Sequence, residues 1–511
     1  MYRPHSRLIQ KPALKAKFVL ISLFASALFN PATAEEVQEW RGFRGSEGLA
    51  RSPGSDGGVL SELGKESFLW KVPSGSGHSS PSIAGEALFL SSAEDGGKTF
   101  VMTAYRRSDG GVLWQHRVSG RENGRYGHRA ANPAAPTPCT DGKRVYFYFG
   151  GYGLIAREAK SGDLAWERKL AFRSNTFGTG TSPILHGDLL VLNRDGSKEA
   201  AILGLSTTDG TTKWEIPRPG FRTTYATPFV WKNSKRTELV VPGMLSLRSY
   251  DPTDGSLLWK VDDLCVFPCT TPAASKDRLF FAAWATPNAD AKEKRDQTFW
   301  GDIQVTPEEA ADPSWFFKRF DKDGNGLITR EELPPSRALD VFNFVDTNRD
   351  DSWSKGEYAR IENSSAPGRN ILVAVDAGGE DVLTPGKGVA WTYEKGKALP
   401  YVSSPLLLNN RLYLVKTGGV LTCLDANEGS TLYGPKRCGV SGEYYSSPIA
   451  WGNKIILCAQ RGVVLVLKDA DELTILKEHD LGEEIYATPA VVDDILYLRT
   501  RDHLWAFGKK D

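Results

Sequence analysis

One pattern recurs eight times along this chain and restricts its fold more than any other feature. Each copy starts with Ser or Thr followed by Pro, continues as short apolar runs cut by Gly and Asp, and often ends on a Gly turn and a Trp. Residues 182–214 are an example, with apolar runs at 189–192 and 201–205. Such runs are too short for packed helices and predict antiparallel strands joined by tight turns. The repeat prolines are Pro81, Pro138, Pro183, Pro228, Pro272, Pro405, Pro448 and Pro489.

The spacing of these prolines indicates the architecture. By subtraction, six of the seven gaps are 41–57 residues, and the gap between Pro272 and Pro405 is 133. A period of roughly 40–45 residues with about four strands is typical of a β-propeller blade. One blade cannot bury both faces of its sheet, whereas a ring of blades can. We therefore predict an all-β protein, an eight-bladed β-propeller, with about 90 foreign residues inside the long gap.

The last repeat predicts how the ring closes. Residues 488–508 contain only three strands, at 490–492, 495–498 and 503–507. The segment 68–72 carries a blade-ending tryptophan, Trp70, yet precedes the first repeat. Pairing of this early strand with 503–507 would close the ring and hide its sheet edges.

The first 34 residues have the pattern of a secretory signal peptide. Five basic residues and no acidic ones precede a 12-residue apolar run at 18–29, and Ala32-Thr33-Ala34 fits a small-x-small cleavage site. We expect export to the periplasm, the cell envelope or the extracellular space, with no transmembrane segment after signal removal. The remaining residues have 58 basic and 62 acidic side chains. This balance does not suggest nucleic acid as a partner.

The chain divides into five predicted segments. A signal peptide at 1–34 is followed by an irregular lead-in at 35–65, which we expect to pack on the outside of the propeller. Propeller blades occupy 66–284 and 369–511, and an insertion occupies 285–368. The nearest pairs among the six cysteines are Cys265 with Cys269 and Cys423 with Cys438, and export makes disulfides possible without selecting either pair.

The repeats resemble those named after pyrroloquinoline quinone, whose consensus is roughly A-x-D-x-x-x-G-x-x-x-W. Residues 250–259 (YDPTDGSLLW) and 424–429 (LDANEG) carry the match. The resemblance covers about residues 66–284 and 369–508. It implies that the Trp and the Gly turn dock neighbouring blades, and it is specific for the fold rather than for an activity.

Two branches of that family imply different functions. Quinoprotein alcohol dehydrogenases hold the quinone and Ca²⁺ on the propeller axis, often against a vicinal Cys-Cys disulfide, and this chain has no adjacent cysteine pair. Binding-only relatives include a propeller of the outer-membrane assembly machinery and secreted proteins that begin with a Trp-x-x-Phe-Arg-Gly-like segment. Residues 40–45 (WRGFRG) come close to that opening. The second branch fits better, so no catalytic residue is assigned and quinone is not the expected cofactor.

The insertion carries the most specific chemistry. Residues 321–332 match an EF-hand Ca²⁺ loop at every diagnostic position, with Gly326 at the sharp turn. Ca²⁺ is a hard cation that takes six to eight oxygen ligands. The predicted ligands are Asp321, Asp323, Asn325, the Leu327 carbonyl, Thr329 and the bidentate Glu332.

A second loop follows at 346–357, with Asp351 in place of the usual Gly. Asp tolerates left-handed φ better than most residues, at some cost, so we expect weaker binding there. Ile328 and Trp353 occupy matching positions and are expected to pair. The resemblance to the EF-hand family covers about 313–362. The predicted ligands of loop two are Asp346, Asn348, Asp350, Ser352, Ser354 and Glu357.

The residue three before each repeat proline is expected near one mouth of the central channel. These residues are either inner-strand packing residues or a binding surface. In the second case the surface comprises His78, His128, Arg222, Tyr225, Tyr445 and Tyr486. The sequence as a whole predicts an exported calcium-binding propeller that acts as a binding or scaffold protein for a protein or cell-envelope ligand. A quinone-dependent dehydrogenase is the alternative.

Overall fold

In its described residues, the computed structural model contains eight sheets arranged as propeller blades and one separate two-stranded antiparallel sheet. It describes residues 39–510 with gaps at 62, 65, 121–129, 173–177, 197–199, 220, 222–223, 266, 285–302, 304–305, 307–308, 310–313, 341, 347 and 362–368. The predicted signal peptide lies outside the described residues. Residues Gln38–Asp511 form one compact unit. None of the described helices is long and apolar enough to cross a membrane.

Each blade is a four-stranded antiparallel sheet that runs from the axis outward, and the eight-bladed prediction is confirmed. The strands of blades one to four are β3(Ser82–Ala84), β4(Ala87–Glu94), β5(Thr99–Arg106) and β6(Val112–Ser119); β7(Cys139–Thr140), β8(Arg144–Phe149), β9(Gly153–Glu158) and β10(Leu164–Lys169); β11(Ile184–His186), β12(Leu189–Asn193), β13(Ala201–Ser206) and β14(Thr212–Pro217); and β15(Phe229–Lys232), β16(Thr237–Gly243), β17(Ser246–Tyr250) and β18(Leu257–Asp262).

Blades five to eight follow the same order and take in strands from distant parts of the chain. Short strands β24(Asp381–Val382), β25(Thr384–Pro385) and β1(Arg51–Ser52) extend blades four, five and seven, respectively. The main strands are β19(Ala273–Ala274), β20(Arg278–Ala283), β23(Ile371–Asp376) and β26(Gly388–Tyr393); β27(Leu406–Leu408), β28(Arg411–Lys416), β29(Val420–Asp425) and β30(Thr431–Arg437); β31(Ile449–Trp451), β32(Lys454–Cys458), β33(Val463–Lys468) and β34(Ile475–Asp480); and β35(Ala490–Val492), β36(Ile495–Arg499), β37(His503–Phe507) and β2(Phe68–Pro73).

The ring closes as predicted, by pairing the first long strand with the last. Strand β2 is antiparallel to β37, with Lys71 opposite Trp505 and Val72 opposite Leu504. Blade eight therefore combines residues from both ends of the described chain. This arrangement pairs the free edges of both segments, which would otherwise be exposed.

Burial along the strands follows from the stacking of blades. The middle strands β12 and β33 are buried almost throughout because neighbouring blades cover both of their faces. Outermost strands such as β6 are mostly exposed or half-buried, and in β6 Trp114 is the one buried residue.

Tryptophans within the outermost strands dock onto glycine turns of the next blade. Trp166 of blade two donates its indole N–H to the Thr207 carbonyl of blade three over 2.9 Å. Gly210 in that turn has φ +72°, and a Cβ there would lie 2.7 Å from the Trp166 ring. The same Trp–Gly contact recurs in the pairs Trp70–Gly110, Trp114–Gly162 and Trp391–Gly429.

The lead-in lies across the inner strands of the propeller, so the prediction that it packs on the outside is wrong. Trp40 forms a β-bridge with Ile83 of blade one, and Thr140 of blade two donates to the Arg41 carbonyl over 2.9 Å. Arg44 is 0% exposed and donates to the Pro272 carbonyl over 3.0 Å and to the Pro405 carbonyl. The Arg44 guanidinium is held by backbone carbonyls of two blades. The lead-in has no periodic sequence pattern from which this position could be predicted.

The insertion leaves blade five between its second and third strands. It contains helices α1(Trp315–Phe320), α2(Arg337–Asp340), α3(Phe342–Val345) and α4(Lys355–Ile361), with a 3₁₀ turn at Arg330–Glu332. Strands β21(Leu327–Thr329) and β22(Ser352–Ser354), which helices separate in the chain, form the two-stranded antiparallel sheet. Its apolar side chains form a cluster of their own around Phe316, Ile328 and Trp353.

Candidate functional site

A ring of hydrogen bonds around the axis explains why Ser or Thr precedes every repeat proline. In seven of the eight positions, the hydroxyl accepts a 3.0 Å bond from the backbone N–H of the equivalent residue in an adjacent blade. At the eighth junction, Thr271 instead donates its hydroxyl to the Thr227 carbonyl over 3.2 Å. The ring comprises Ser80, Thr137, Ser182, Thr227, Thr271, Ser404, Ser447 and Thr488.

A cavity of about 230 Å³ lies on one side of this ring, and we call it the axial cup. Its wall includes the residue three before each of the eight prolines. Six hydroxyl-bearing residues of the ring also line it, and Phe43 of the lead-in reaches it. The wall residues at the repeat positions are His78, Ala135, Gly180, Tyr225, Cys269, Val402, Tyr445 and Tyr486.

Three aromatic rings from three blades form a continuous stack in the cup wall. The rings of His78 and Tyr486 are 4.1 Å apart and nearly parallel at 10°. Those of Tyr486 and Tyr445 are 5.5 Å apart at 18°. Tyr401, also in the wall, packs edge-on against Trp284, with centroids 4.6 Å apart. The cup therefore has one wide aromatic side built from blades one, seven and eight.

The described cup lining is electrically neutral at physiological pH. Burial, reinforced by the nearby charge of Arg499, lowers the pKa of His78 to about 3. Burial raises the pKa of the Cys269 thiol to about 12, so it stays protonated. None of the described lining residues is Asp, Glu, Lys or Arg.

Four of the six channel-mouth residues predicted from the sequence lie in this cavity. His78, Tyr225, Tyr445 and Tyr486 all line the cup, whereas His128 and Arg222 lie outside the described residues. Whether they form a binding surface stays a prediction. Sequence reasoning missed Tyr401, Phe43 and the ring hydroxyls. The hydroxyls had a visible signal, because Ser or Thr precedes all eight prolines.

Loop one of the insertion gathers carboxylates around its turn. Ligand atoms of Asp321, Asp323 and Glu332 all lie within 4.8 Å of one another. Gly326, with φ +80°, donates its N–H to Asp321 Oδ2 over 2.9 Å. Asp321 Oδ1 is buried, and no described residue donates a hydrogen bond to it. An acidic cluster with an unsatisfied buried oxygen fits a cation.

The last carboxylate of loop one is held by backbone groups at the opposite side of the loop. Glu332 Oε1 accepts from Lys322 N over 2.8 Å, and Oε2 accepts from Thr329 N over 2.8 Å. Burial opposes ionisation, yet these hydrogen bonds outweigh it and lower the pKa of Glu332. Asn325 accepts from Leu327 N over 2.7 Å through Oδ1.

Loop two repeats several of these contacts, but Arg349 and Asp351 occupy its two positive-φ positions, where loop one has glycines. Asp351 N donates to Asp346 Oδ2 over 3.0 Å, as Gly326 does to Asp321, and Asp351 has φ +56°. Glu357 Oε2 accepts from Ser354 N over 3.0 Å, and Asp350 Oδ1 accepts from Ser352 N over 3.0 Å. Asn348 Nδ2 donates to Asp350 Oδ2 over 2.7 Å.

The two loops are joined through their central residues. Ile328 lies opposite Trp353 in the β21–β22 pair, and both side chains are fully buried. Trp353 donates its indole N–H to the Phe342 carbonyl over 3.0 Å. The two loops therefore share one strand pair and one apolar contact.

Among the residues that the structure describes, the axial cup lining offers no charged partner for pyrroloquinoline quinone. This quinone is a polycarboxylate. In the quinoprotein alcohol dehydrogenases, it lies beside Ca²⁺. The part of the lining that the structure describes contains neither a cation for the carboxylates nor a carboxylate for the metal. Burying such charges without partners would be strongly unfavourable.

Comparisons with known proteins agree with the fold. The family model of the outer membrane protein assembly factor BamB matches residues 54–178 and 103–263. BamB from Moraxella catarrhalis superposes with a TM-score of 0.53 at 12% identity, over 86% of this chain and 99% of that one. No curated protein sequence matches this chain significantly.

Two quinohemoprotein alcohol dehydrogenases have the same fold. The enzyme from Pseudomonas putida superposes with a TM-score of 0.50 at 11% identity, covering 92% of this chain and 80% of that one. The enzyme from Comamonas testosteroni superposes with a TM-score of 0.50 at 11% identity, covering 93% of this chain and 81% of that one. The predicted resemblance to quinone-repeat propellers is confirmed, and these low identities support the fold alone.

All six cysteines are present as free thiols.

Proposed function

We propose that this chain is an exported binding or scaffold protein whose insertion is an EF-hand pair that binds Ca²⁺. The observation that carries the proposal is loop one. Three carboxylates meet within 4.8 Å there, and one of their buried oxygens has no donor among the described residues. Oxygen-only ligand sets of this kind suit Ca²⁺.

Asp321, Asp323, Asn325, Leu327, Thr329 and Glu332 would hold the ion in loop one. The matching ligands in loop two are Asp346, Asn348, Asp350, Ser352, Ser354 and Glu357. The positive φ of Asp351 is a strain that Gly326 avoids, so loop two is the weaker site. Ion binding would order the insertion around its own apolar cluster and leave the blades unchanged, because the two cores are separate.

A binding role for the propeller is supported by two features. The family model that matches is that of an assembly factor, and the described cup lining has no ionised group with which to carry out acid–base chemistry. We propose a protein or cell-envelope component as the partner.

The alternative of a quinone-dependent dehydrogenase has the fold likeness in its favour. The neutral cup described above argues against it. Native mass spectrometry of the purified protein tests both ideas together. Bound calcium without quinone is the expected result, and a stoichiometric quinone would overturn the binding-protein proposal.

A further inference from the structure

We propose that a groove beside the lead-in binds an extended acidic segment of a partner protein, which pairs with the inner strands of blades three and four. The groove has a volume of about 610 Å³, and we call it the edge groove. Lead-in residues and inner-strand residues of blades two to five form its wall. The inference rests on the proposed binding role of the propeller and specifies the chemistry of its protein partner.

The lead-in shows how the inner strands hold an extended chain. In the antiparallel pair of each blade's two innermost strands, the residue two after the repeat proline lies where the backbone N–H points away from the neighbouring strand. The lead-in accepts this N–H in three blades. Ile83 donates to the Trp40 carbonyl over 2.7 Å, Thr140 to the Arg41 carbonyl over 2.9 Å, and Ala450 to the Ala50 carbonyl over 2.8 Å.

Blades three and four have no such partner. Leu185 and Val230 occupy the same position two after the repeat proline, line the edge groove and are half-buried. No described residue accepts the backbone N–H of either one or donates to its carbonyl. Strand β11 is half-buried at all three residues, whereas the inner strands β3, β27, β31 and β35 are buried throughout. Among the described residues, the edges of β11 and β15 are therefore open to an added strand.

The described wall of the edge groove has a surplus of positive charge. Lys232 shares Glu47 over 3.2 Å, whereas Arg51 and Lys276 form no ion pair with any described residue. Burial lowers the pKa of His186, so this side chain is uncharged near neutral pH. Acidic side chains on an added strand would find cations beside it. The charged wall residues are the cations Arg41, Arg51, Lys232 and Lys276 and the carboxylates Glu47 and Asp141.

The strand edges favour a peptide over a small anion. Leu185 and Val230 each present an N–H and a carbonyl side by side. A phosphate or carboxylate ion could accept the N–H but would meet the lone pairs of the carbonyl. A peptide main chain supplies both an acceptor and a donor, as Trp40 does when it donates its own N–H to the Ile83 carbonyl over 3.0 Å.

Selection of peptides from a phage-displayed library of random heptapeptides, with the full chain as the target, tests the proposal. We expect the selected peptides to be enriched in Asp and Glu and to lack proline at the positions whose backbone N–H would pair. The best of them, made synthetically, should bind in calorimetry with a Kd on the order of 10 µM. Its matched control has Lys in place of each acidic residue and should bind at least about tenfold more weakly.

Variants locate the site. Lys276→Glu reverses the charge of an exposed wall residue and should weaken binding of the selected peptide by about tenfold. Lys160→Glu makes the same charge change at an exposed residue in the turn between β9 and β10, outside the groove, and should leave binding unchanged.

A second pair of variants tests the backbone contact. Leu185→Pro removes the N–H from the strand edge and should weaken binding by at least about tenfold. Leu185→Ala keeps the N–H and should bind within about threefold of wild type. The lysine pair still decides the proposal if Leu185→Pro does not fold.

Three results would overturn the proposal: no enriched peptide family, enrichment of basic or proline-rich peptides, or equal affinity of Lys276→Glu and Lys160→Glu for the selected peptide. Self-association of the wild-type chain that Lys276→Glu abolishes would also overturn it, because the occupant would then be a second copy of this chain. Selections are run with Ca²⁺ and with a chelator. If both fail, the calcium titration of the insertion remains a separate test of the proposed function.

Discussion

The backbone N–H of Thr488 donates a 3.0 Å hydrogen bond to Oγ of Ser80, 408 residues earlier in the chain. This bond joins the last blade to the first and completes the ring of hydroxyls around the axis. Strand pairing between β2 and β37 closes the same junction farther from the axis. Closure therefore rests on two independent contacts.

Ser80→Ala should destabilise the propeller by about 1–3 kcal/mol, because it leaves the buried N–H of Thr488 without its acceptor. Denaturant unfolding followed by tryptophan fluorescence measures the change. Ser234→Ala, at an exposed residue away from the ring, is the control and should fall within about 0.5 kcal/mol of wild type. Equal stability of the two variants would show that the ring bond contributes nothing.

Gly210→Ala should destabilise the protein more than Gly187→Ala, although both glycines have positive φ in turns of blade three. A Cβ at Gly210 would lie 2.7 Å from the Trp166 ring, whereas nothing lies within 4 Å of a Cβ at Gly187. We expect a difference of about 1–3 kcal/mol, the usual cost of overpacking. Thermal unfolding of the two variants measures it. Similar losses would mean that backbone conformation, rather than the Trp–Gly contact, selects glycine.

The blades were predictable because their signal is periodic. Every Ser/Thr-Pro pair marks an inner strand, and the lone strand at Trp70 supplied the one that blade eight lacked. The position of the lead-in was not predictable, because the burial of Arg44 depends on carbonyls contributed by blades five and six. For the same reason, Tyr401 and Phe43 enter the cup without a marker in the repeat.

Stability should fall with acid through His78. Its pKa is about 3 in the folded protein and about 6.5 when unfolded, so the unfolded chain binds the proton first. The contribution is complete above pH 6.5 and is lost as the pH falls from 6.5 towards 3. Arg499 is the charged group that acts on His78, and Glu484 contacts the stacked Tyr486.

Urea unfolding at pH 7 and pH 5 checks this dependence. Wild type should lose more stability between the two pH values than His78→Phe, which keeps an aromatic ring against Tyr486 but cannot be protonated. Parallel losses in the two proteins would assign the acid sensitivity to other groups.

Asp351→Gly should tighten calcium binding by loop two relative to Asp351→Asn. Both changes remove the same negative charge, but only glycine relieves the positive φ of 56° at this position. Fluorescence of Trp353, which lies within loop two, reports the titration. Identical midpoints for the two variants would show that backbone strain at position 351 does not limit binding by this loop.

Calorimetric titration of the full chain with Ca²⁺, with Glu332→Gln alongside, tests the central claim most directly. Glu332 contributes a carboxylate to the cluster of loop one, and the substitution removes its charge while keeping its size. The account predicts a heat of binding with a Kd of about 10⁻⁴–10⁻³ M or tighter. It predicts at least about tenfold weaker binding by Glu332→Gln. No heat at millimolar Ca²⁺, or the same affinity in both proteins, would contradict it.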